Sequence, residues 1–153
     1  VVDKVRPVTM GWGNVINAAN FMDYDFTLQA DAKKFEEGTP NTMSIHAFGA
    51  ALELLLEVGI DNIEKRVMSL GDCVIGELKS RGIKIYSSTL LSERSGNISF
   101  ALDKDVGRLY SFMLENKVKL TVRDGLVRFS PHFYNNEEEI LKVFDLLDSY
   151  LKK

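Results

Sequence analysis

The spacing of the apolar residues constrains the fold more than any other feature of this sequence. From Asn41 to Val58 and from Asp61 to Gly82, apolar side chains recur at the three- and four-residue intervals of an amphipathic helix. Beyond Gly82 they alternate as in strands, and two further helical stretches follow. This order predicts an α/β domain in which helices pack on a mostly antiparallel four-stranded sheet.

Capping residues mark the starts of the second, third and fourth predicted helices. Asp61 with Glu64 three residues later, and Asn136 with Glu139, each match a capping box, in which two side chains satisfy the first free N–H groups of a helix. Asp105 is in the position of an N-cap for the helix between them. The sequence therefore predicts helices that begin at these three residues.

Short alternating runs predict the four strands. They cover residues 83–85, 98–102, 118–122 and 126–130. Asp124 and Gly125 separate the last two runs, and both residue types tolerate the positive φ of a type I′ turn. We therefore expect the third and fourth strands to form a tight hairpin.

Residues 1–40 differ from the rest of the chain. Their periodicity is weak, and they contain scattered aromatic residues around a Gly-Trp-Gly-Asn segment. An arm of this length without clear elements of its own is unusual in a self-contained domain, which suggests a packing partner outside it. We predict two regions, an arm over residues 1–40 and a compact domain over residues 41–153.

Composition excludes several classes of partner. The net charge is −3, so we expect binding neither to nucleic acid nor to an anionic membrane surface. No window approaches the roughly 18 consecutive apolar residues of a membrane span, and we expect a soluble, cytoplasmic protein. The lone cysteine, Cys73, permits no intrachain disulfide, and the distant His46 and His132 predict no metal site.

Two positions have both a functional and a structural interpretation. Gly38 and Thr39 lie just before a predicted helix, where backbone N–H groups and a hydroxyl can bind a phosphate, although the same segment is also an ordinary helix start. Arg128 alternates with Val127 and Phe129, so it points away from the core. It could hold a carboxylate by a two-bond fork, or simply lie on a solvated sheet face.

Four segments, in order, resemble the class V aminotransferase and cysteine desulfurase-like family of pyridoxal-phosphate enzymes. They read GWGNV at 11–15, KFEEGTPN at 34–41, RSGNISF at 94–100 and VRDGLVRFSPHFYN at 122–135. The resemblance implies fold type I. It implies that residues 41–153 are the small C-terminal domain, and that residues 1–40 are an interdomain, active-site arm that comes from the large domain.

The resemblance also implies roles for individual residues. Thr39, with Gly38 beside it, would bind the phosphate of pyridoxal phosphate held in the neighbouring subunit of a homodimer. Arg128 would bind the α-carboxylate of an amino-acid substrate. The Schiff-base lysine of the family would precede Val1, because Lys4 lies in no matching motif. We therefore expect no catalytic residue in this chain, which alone should be inactive and should not retain the cofactor.

Several reactions remain open. Transamination, epimerisation or lyase chemistry on an amino acid is favoured. Cysteine desulfurases carry a reactive cysteine on a loop between the third and fourth strands. Here the two-residue turn of Asp124 and Gly125 joins these strands, with no longer loop and no cysteine. A desulfurase is therefore an alternative, and so is a non-catalytic α/β binding or dimerisation module.

Overall fold

The computed structural model describes residues 2–152, so Val1 and Lys153, the outer ends of the two predicted regions, lie outside the described residues. The helices and strands are α1 (Thr42–Val58), α2 (Ile60–Ser80), β1 (Ile98–Phe100), α3 (Val106–Glu115), β2 (Thr121–Arg123), β3 (Leu126–Phe129) and α4 (Glu137–Leu151). The chain divides into two compact units, with the boundary between Glu53 and Leu54 inside α1. The predicted division at residue 40 stays a prediction.

The sheet is antiparallel, as predicted, but it has three strands in the described part of the chain, not four. Its order is β1-β3-β2. The predicted strand at 83–85 is reduced to a single bridge between Ile85 and Phe100. The cause is Ser87, whose hydroxyl oxygen accepts the Ser99 N–H at 2.8 Å. That N–H would otherwise bond the backbone of a continuing ladder.

The hairpin prediction is confirmed. Asp124 and Gly125 have φ values of 51° and 75°, so both central residues of the turn lie in the left-handed region that type I′ requires. The turn aligns Val122 with Val127 across the β2–β3 pair. β3 is therefore held at the centre of the sheet.

Two of the three predicted helix starts are confirmed. Asn136 and Glu139 form a complete capping box, and the Asp105 carboxylate accepts N–H groups from the first turn of α3. The prediction for Asp61 is wrong. Gly59, at φ 88°, precedes α2 and makes no side-chain cap, so the helix begins at Ile60 and Asp61 lies within its first turn. A positive φ at glycine lets the chain leave α1 and start α2 after one residue.

The core of the second unit lies between one face of the sheet and helices α2, α3 and α4. Three rings form its centre: Phe129 meets Phe100 edge-on at 5.0 Å between ring centroids, and Phe144 at 5.7 Å. Around them the buried apolar residues are Leu70, Val74, Ile75, Leu78, Ile98, Leu109, Met113, Leu120, Val127, Ile140 and Leu147. Helices therefore cover this face, as predicted, and side chains on the other face of β3 point away from the core.

Helix α1 is confirmed at its predicted position, but it has no buried residue along its 17 positions. Its exposed apolar side chains are Met43, Ile45, Phe48, Leu52, Leu54 and Leu56. A helix this apolar normally buries at least one face. No single helix of the described chain is long and apolar enough to cross a membrane, and α1 with α2 meets that test of length and composition only as a bent pair.

Candidate active site

Arg128 lies on β3, on the sheet face opposite the core. Its neighbours Val127 and Phe129 are buried, whereas Arg128 is half-buried. The predicted alternation is therefore confirmed. In the sheet register, Arg128 pairs with Ser99 of β1 on one side and with Thr121 of β2 on the other.

Ser99 and Thr121 share the sheet face of Arg128, because directly paired residues of antiparallel strands point to the same side. The three residues form a row of a guanidinium between two hydroxyls. The sequence does not reveal the whole row, since nothing local to Ser99 specifies a partner on the distant strand β3. Only the hairpin signal at Asp124 and Gly125 could have placed Thr121 opposite Arg128.

The Arg128 guanidinium has no ion pair and no hydrogen bond to any residue between 2 and 152. Its Nε is buried and lacks a partner. Each of the other five arginines of the second unit pairs with a carboxylate; they are Arg66, Arg81, Arg94, Arg108 and Arg123. A guanidinium that has no carboxylate partner within its unit suits an arginine that binds an anion from outside.

The segment before β1 is fixed to α2 and to the end of β3. The buried Arg94 side chain bonds the Asp72 carboxylate at 2.6 Å. Asn97 accepts a hydrogen bond from the Ser130 hydroxyl at 2.6 Å, two residues beyond Arg128. This hydrogen bond and the β1–β3 pairing join two of the four matched segments around Arg128.

Gly38 and Thr39 lie in the first unit, immediately before α1. Asn41 begins the helix, because its side chain accepts the Ser44 N–H at 3.0 Å. The segment is therefore an ordinary helix start at Asn41, as its structural interpretation predicted. Thr39 is exposed, and its hydroxyl and N–H have no hydrogen-bond partner in the described chain. Its hydroxyl therefore remains available to an anion.

The other two matched segments pack against each other within this unit. Gly13 donates its N–H to the Glu37 carbonyl at 3.0 Å. A Cβ on Gly13 would come within 2.7 Å of the Glu36 carbonyl oxygen, so only glycine allows this approach. The Trp12 ring lies against Gly38, where an added Cβ would be 3.3 Å from Nε1 of the indole. Trp12 therefore lies against the residue that precedes Thr39.

Asn14 fixes the loop that carries Trp12. It is fully buried, its amide donates to the Thr9 carbonyl at 3.3 Å, and its side-chain oxygen accepts the Gly11 N–H at 3.3 Å. Buried amides need such partners because an unmade hydrogen bond is costly. Asn14 therefore holds the Gly-Trp-Gly turn in one conformation.

The family model described as "Aminotransferase class-V" matches residues 1–143. The chain belongs to the class-V aminotransferase family. Among its relatives are the "Uncharacterized aminotransferase YcbU" of Bacillus subtilis, 24% identical over 95% of this chain and 37% of the relative, and a "Cysteine desulfurase" of Cronobacter sakazakii, 32% identical over 90% and 36%. The chain thus spans little more than a third of these relatives.

Solved structures show the same fold. The cysteine desulfurase CsdA of Escherichia coli superposes with a TM-score of 0.82 at 21% identity, over 99% of this chain and 40% of that one. The apo cysteine desulfurase of Thermococcus onnurineus gives 0.81 at 20% identity, over 95% and 39%. The fold is therefore that of the C-terminal part of a fold type I enzyme.

Class-V aminotransferases depend on pyridoxal phosphate, and two groups of this chain fit what that cofactor and its substrate need. A phosphate needs hydrogen-bond donors, which the unpartnered hydroxyl of Thr39 and the adjoining backbone offer. A substrate carboxylate needs a cationic fork, which Arg128 offers without a competing ion pair. The two groups lie in different units.

The thiol of this family member does not have the environment of a nucleophile. Cys73 lies half-buried on α2, where burial, and then the charges of Glu77 and Glu137, raise its pKa. The β2–β3 turn at Asp124 and Gly125 carries no thiol. Among residues 2–152 no group of three or more His, Cys, Asp or Glu side chains is placed to hold a metal ion.

Proposed function

We propose that this chain forms part of the active site of a pyridoxal-phosphate enzyme that acts on an amino acid. Arg128 binds the α-carboxylate of the substrate, and Thr39 with Gly38 binds the phosphate of the cofactor in the neighbouring subunit. The observation that carries the proposal is the Arg128 guanidinium, the one arginine of its unit without a carboxylate partner in the described chain.

The cofactor supplies an electron sink for bond breaking at the substrate Cα. The residues of this chain bind and orient. The two Nη groups of Arg128 meet the carboxylate as a charge-assisted fork, and the hydroxyls of Ser99 and Thr121 flank it. A carboxylate held at two points cannot rotate freely, so the scissile bond keeps one direction relative to the cofactor ring.

The proposed partners are a large domain and a second subunit. The support is α1, whose apolar side chains are exposed along the whole helix. A continuous apolar surface of this kind is typical of an interface. The Schiff-base lysine would come from the large domain, and the chain alone would be inactive.

We favour transaminase, epimerase or lyase chemistry. Cysteine desulfurase is the second candidate, because several relatives carry that name. The short turn at Asp124 and Gly125 and the raised pKa of Cys73 weigh against it. A sulfide-release assay on the full-length protein decides: we expect no sulfide from cysteine, and release that disappears in Cys73→Ala would establish the desulfurase.

The carboxylate role is tested by Arg128→Gln in the full-length protein, with Arg108→Gln as control. Arg108 is on α3 and its side chain is 85% exposed. Hydrogen bonds to charged groups contribute about 1.5–3 kcal/mol, so we expect KM for the amino-acid substrate to rise about ten- to a hundredfold in Arg128→Gln alone.

The cofactor absorbance should persist in both variants, because Arg128 does not contact the cofactor in this proposal. An unchanged KM in Arg128→Gln would remove the carboxylate role. A full-length protein that shows neither cofactor absorbance nor activity on any amino acid would favour the non-catalytic α/β module instead.

A further inference from the structure

A cavity of about 220 Å³ lies within the first unit, beside the Gly-Trp-Gly turn. Four aromatic residues line it, Trp12, Phe21, Tyr24 and Phe26, and each of them is more than half exposed. The Trp12 and Phe21 ring centroids are 6.0 Å apart. We call this cavity, with its four rings, the arm pocket.

The charged groups of the arm pocket are all acidic. Asp23 and Asp25 line it. Among its lining residues, all of which are described, there is no lysine or arginine. Asn17 donates to the Asp23 carboxylate at 3.1 Å. Hydrogen bonds from the side chain and the backbone of Thr27 lower the pKa of Asp25, so this carboxylate is ionised at neutral pH.

Aromatic rings with carboxylates beside them form a site for an organic cation. The faces of the rings attract a positive charge, and their carbon surface packs against the methylene or methyl groups that surround it. Carboxylates on the same pocket add a direct charge interaction and disfavour anions. Cavities for whole drug-sized ligands are about 300–1,000 Å³, so the arm pocket suits one end of a molecule.

The arm pocket borders the segment proposed to bind the cofactor phosphate. Trp12, one of its walls, lies against Gly38, which adjoins Thr39. The Gly13 N–H bond to Glu37 fixes the same two segments together. If Thr39 lies at an active site, Trp12 and the arm pocket therefore lie beside the same active site.

We propose that the arm pocket binds the positively charged side chain of the amino-acid substrate. This inference rests on the proposed function, and it narrows the substrate class to amino acids whose side chain ends in an ammonium, guanidinium or quaternary ammonium group. The rings, with Asp23 and Asp25, bind the charged end of such a substrate.

The first experiment measures cation binding by the 153-residue chain, without cofactor or activity. Trp12 is the only tryptophan of the chain, so its fluorescence reports on the arm pocket directly. The probes are choline and 3,3-dimethyl-1-butanol, which has nearly the same shape and no charge. We expect a saturable change with choline, at fixed ionic strength, and binding of the alcohol weaker by at least about fivefold.

Asp25→Asn and Asp23→Asn should each weaken choline binding, whereas Asp145→Asn, on α4, should not. A change that fails to saturate, or an equal response to the neutral alcohol, would overturn the cation site. So would full choline affinity in the double variant of Asp23 and Asp25.

The second experiment tests the link to substrate in the full-length holoenzyme. The quantity measured is the ratio of kcat/KM for lysine to kcat/KM for norleucine, an amino acid with a similar side chain that lacks the ammonium group. We expect the wild type to favour lysine and Asp25→Asn to lower the ratio by at least about fivefold. An unaltered ratio would mean that the arm pocket binds cations but not the substrate.

The two failures are distinguishable. If the holoenzyme has no activity on any amino acid, the proposed function and the substrate assignment both fail, whatever choline does. If the holoenzyme is active and choline does not bind, only the arm pocket is wrong.

Discussion

Replacing Gly96 with alanine tests the packing that sets the position of the Arg128 site. Gly96 follows the buried Arg94 and precedes Asn97, the acceptor of the Ser130 hydroxyl. Its φ is not positive, so the backbone itself tolerates alanine. The added Cβ, however, would lie about 1 Å inside the roughly 3.5 Å at which carbon atoms meet, against Cγ1 of Val67 on α2.

Val67 cannot easily move away, because a β-branched residue in a helix has one strongly preferred rotamer. Overpacking of this kind costs about 1–3 kcal/mol. Alanine also restricts the unfolded chain, which offsets about 0.4–1 kcal/mol of that cost. We therefore expect Gly96→Ala to lower the free energy of unfolding by about 1–2 kcal/mol.

A double-mutant cycle with Val67→Ala isolates the clash, because that change removes Cγ1. In the Val67→Ala background, Gly96→Ala should be close to neutral, which gives a coupling free energy of about 1–2 kcal/mol. The matched control is Gly76→Ala on the exposed side of α2, where an added Cβ meets nothing within 4 Å. It should stabilise the chain by up to about 1 kcal/mol.

The assay is urea denaturation of the wild type, the three single variants and the Gly96/Val67 double variant, followed by far-UV circular dichroism. Equal stability of Gly96→Ala and Gly76→Ala would refute the reasoning. A coupling free energy near zero would also refute it, because the cost at Gly96 would then come from a source other than Val67.

Two further predictions use single side chains. Asp148 accepts two hydrogen bonds from Arg81 at 2.8 Å, and they lower the pKa of the Asp148 carboxyl group. The ionised carboxylate therefore stabilises the fold above about pH 4, and this stabilisation is lost as the pH falls through the lowered pKa. Asp148→Asn should therefore cost about 0.5–1 kcal/mol at pH 7 and little at pH 2 in urea denaturation, and an equal cost at both would contradict the assignment. Thr39→Ala in the full-length protein should raise the Kd for pyridoxal phosphate about five- to thirtyfold, equivalent to about 1–2 kcal/mol, whereas unaltered affinity in equilibrium titration would exclude the phosphate contact.

The elements that the sequence predicted correctly have local causes. Asp124 and Gly125 adopt the positive φ values of their turn, and Asn136 caps its helix with Glu139, because these signals act over two to four residues. Asp61 failed as a cap although its own spacing to Glu64 was correct. Gly59, which has a positive φ, takes the N-cap position two residues earlier, so the helix has already started when the chain reaches Asp61.

The strand at 83–85 shows the same limit for sheets. Ile83 and Ile85 alternate correctly, and Ile85 does pair with Phe100. The ladder ends because the Ser87 hydroxyl accepts the next N–H of β1, twelve residues away. Competition between a side chain and a backbone carbonyl depends on tertiary distances, which periodicity does not contain.

The candidate site was predictable to different degrees. Alternation alone placed Arg128 on the free face of the sheet, because a period of two decides which side a residue takes. The resemblance, not the periodicity, indicated which of the six arginines of that unit to choose. The hairpin signal alone could have placed Thr121 beside it. Neither alternation nor the resemblance indicated that Ser99 flanks Arg128 or that Trp12 lies against Gly38, since both depend on contacts between distant segments.

Three unsatisfied features share one physical explanation. Arg128 has a buried Nε without a partner, Thr39 offers an unused hydroxyl, and α1 exposes apolar side chains along its length. Each is unfavourable or unused within residues 2–152, while the other arginines of the second unit are paired and its core is closed. Such groups are typically satisfied by another surface or by a ligand. The three features require different complements, a carboxylate, a phosphate and an apolar surface, and the enzyme proposed above, with its cofactor, large domain and second subunit, would provide all three.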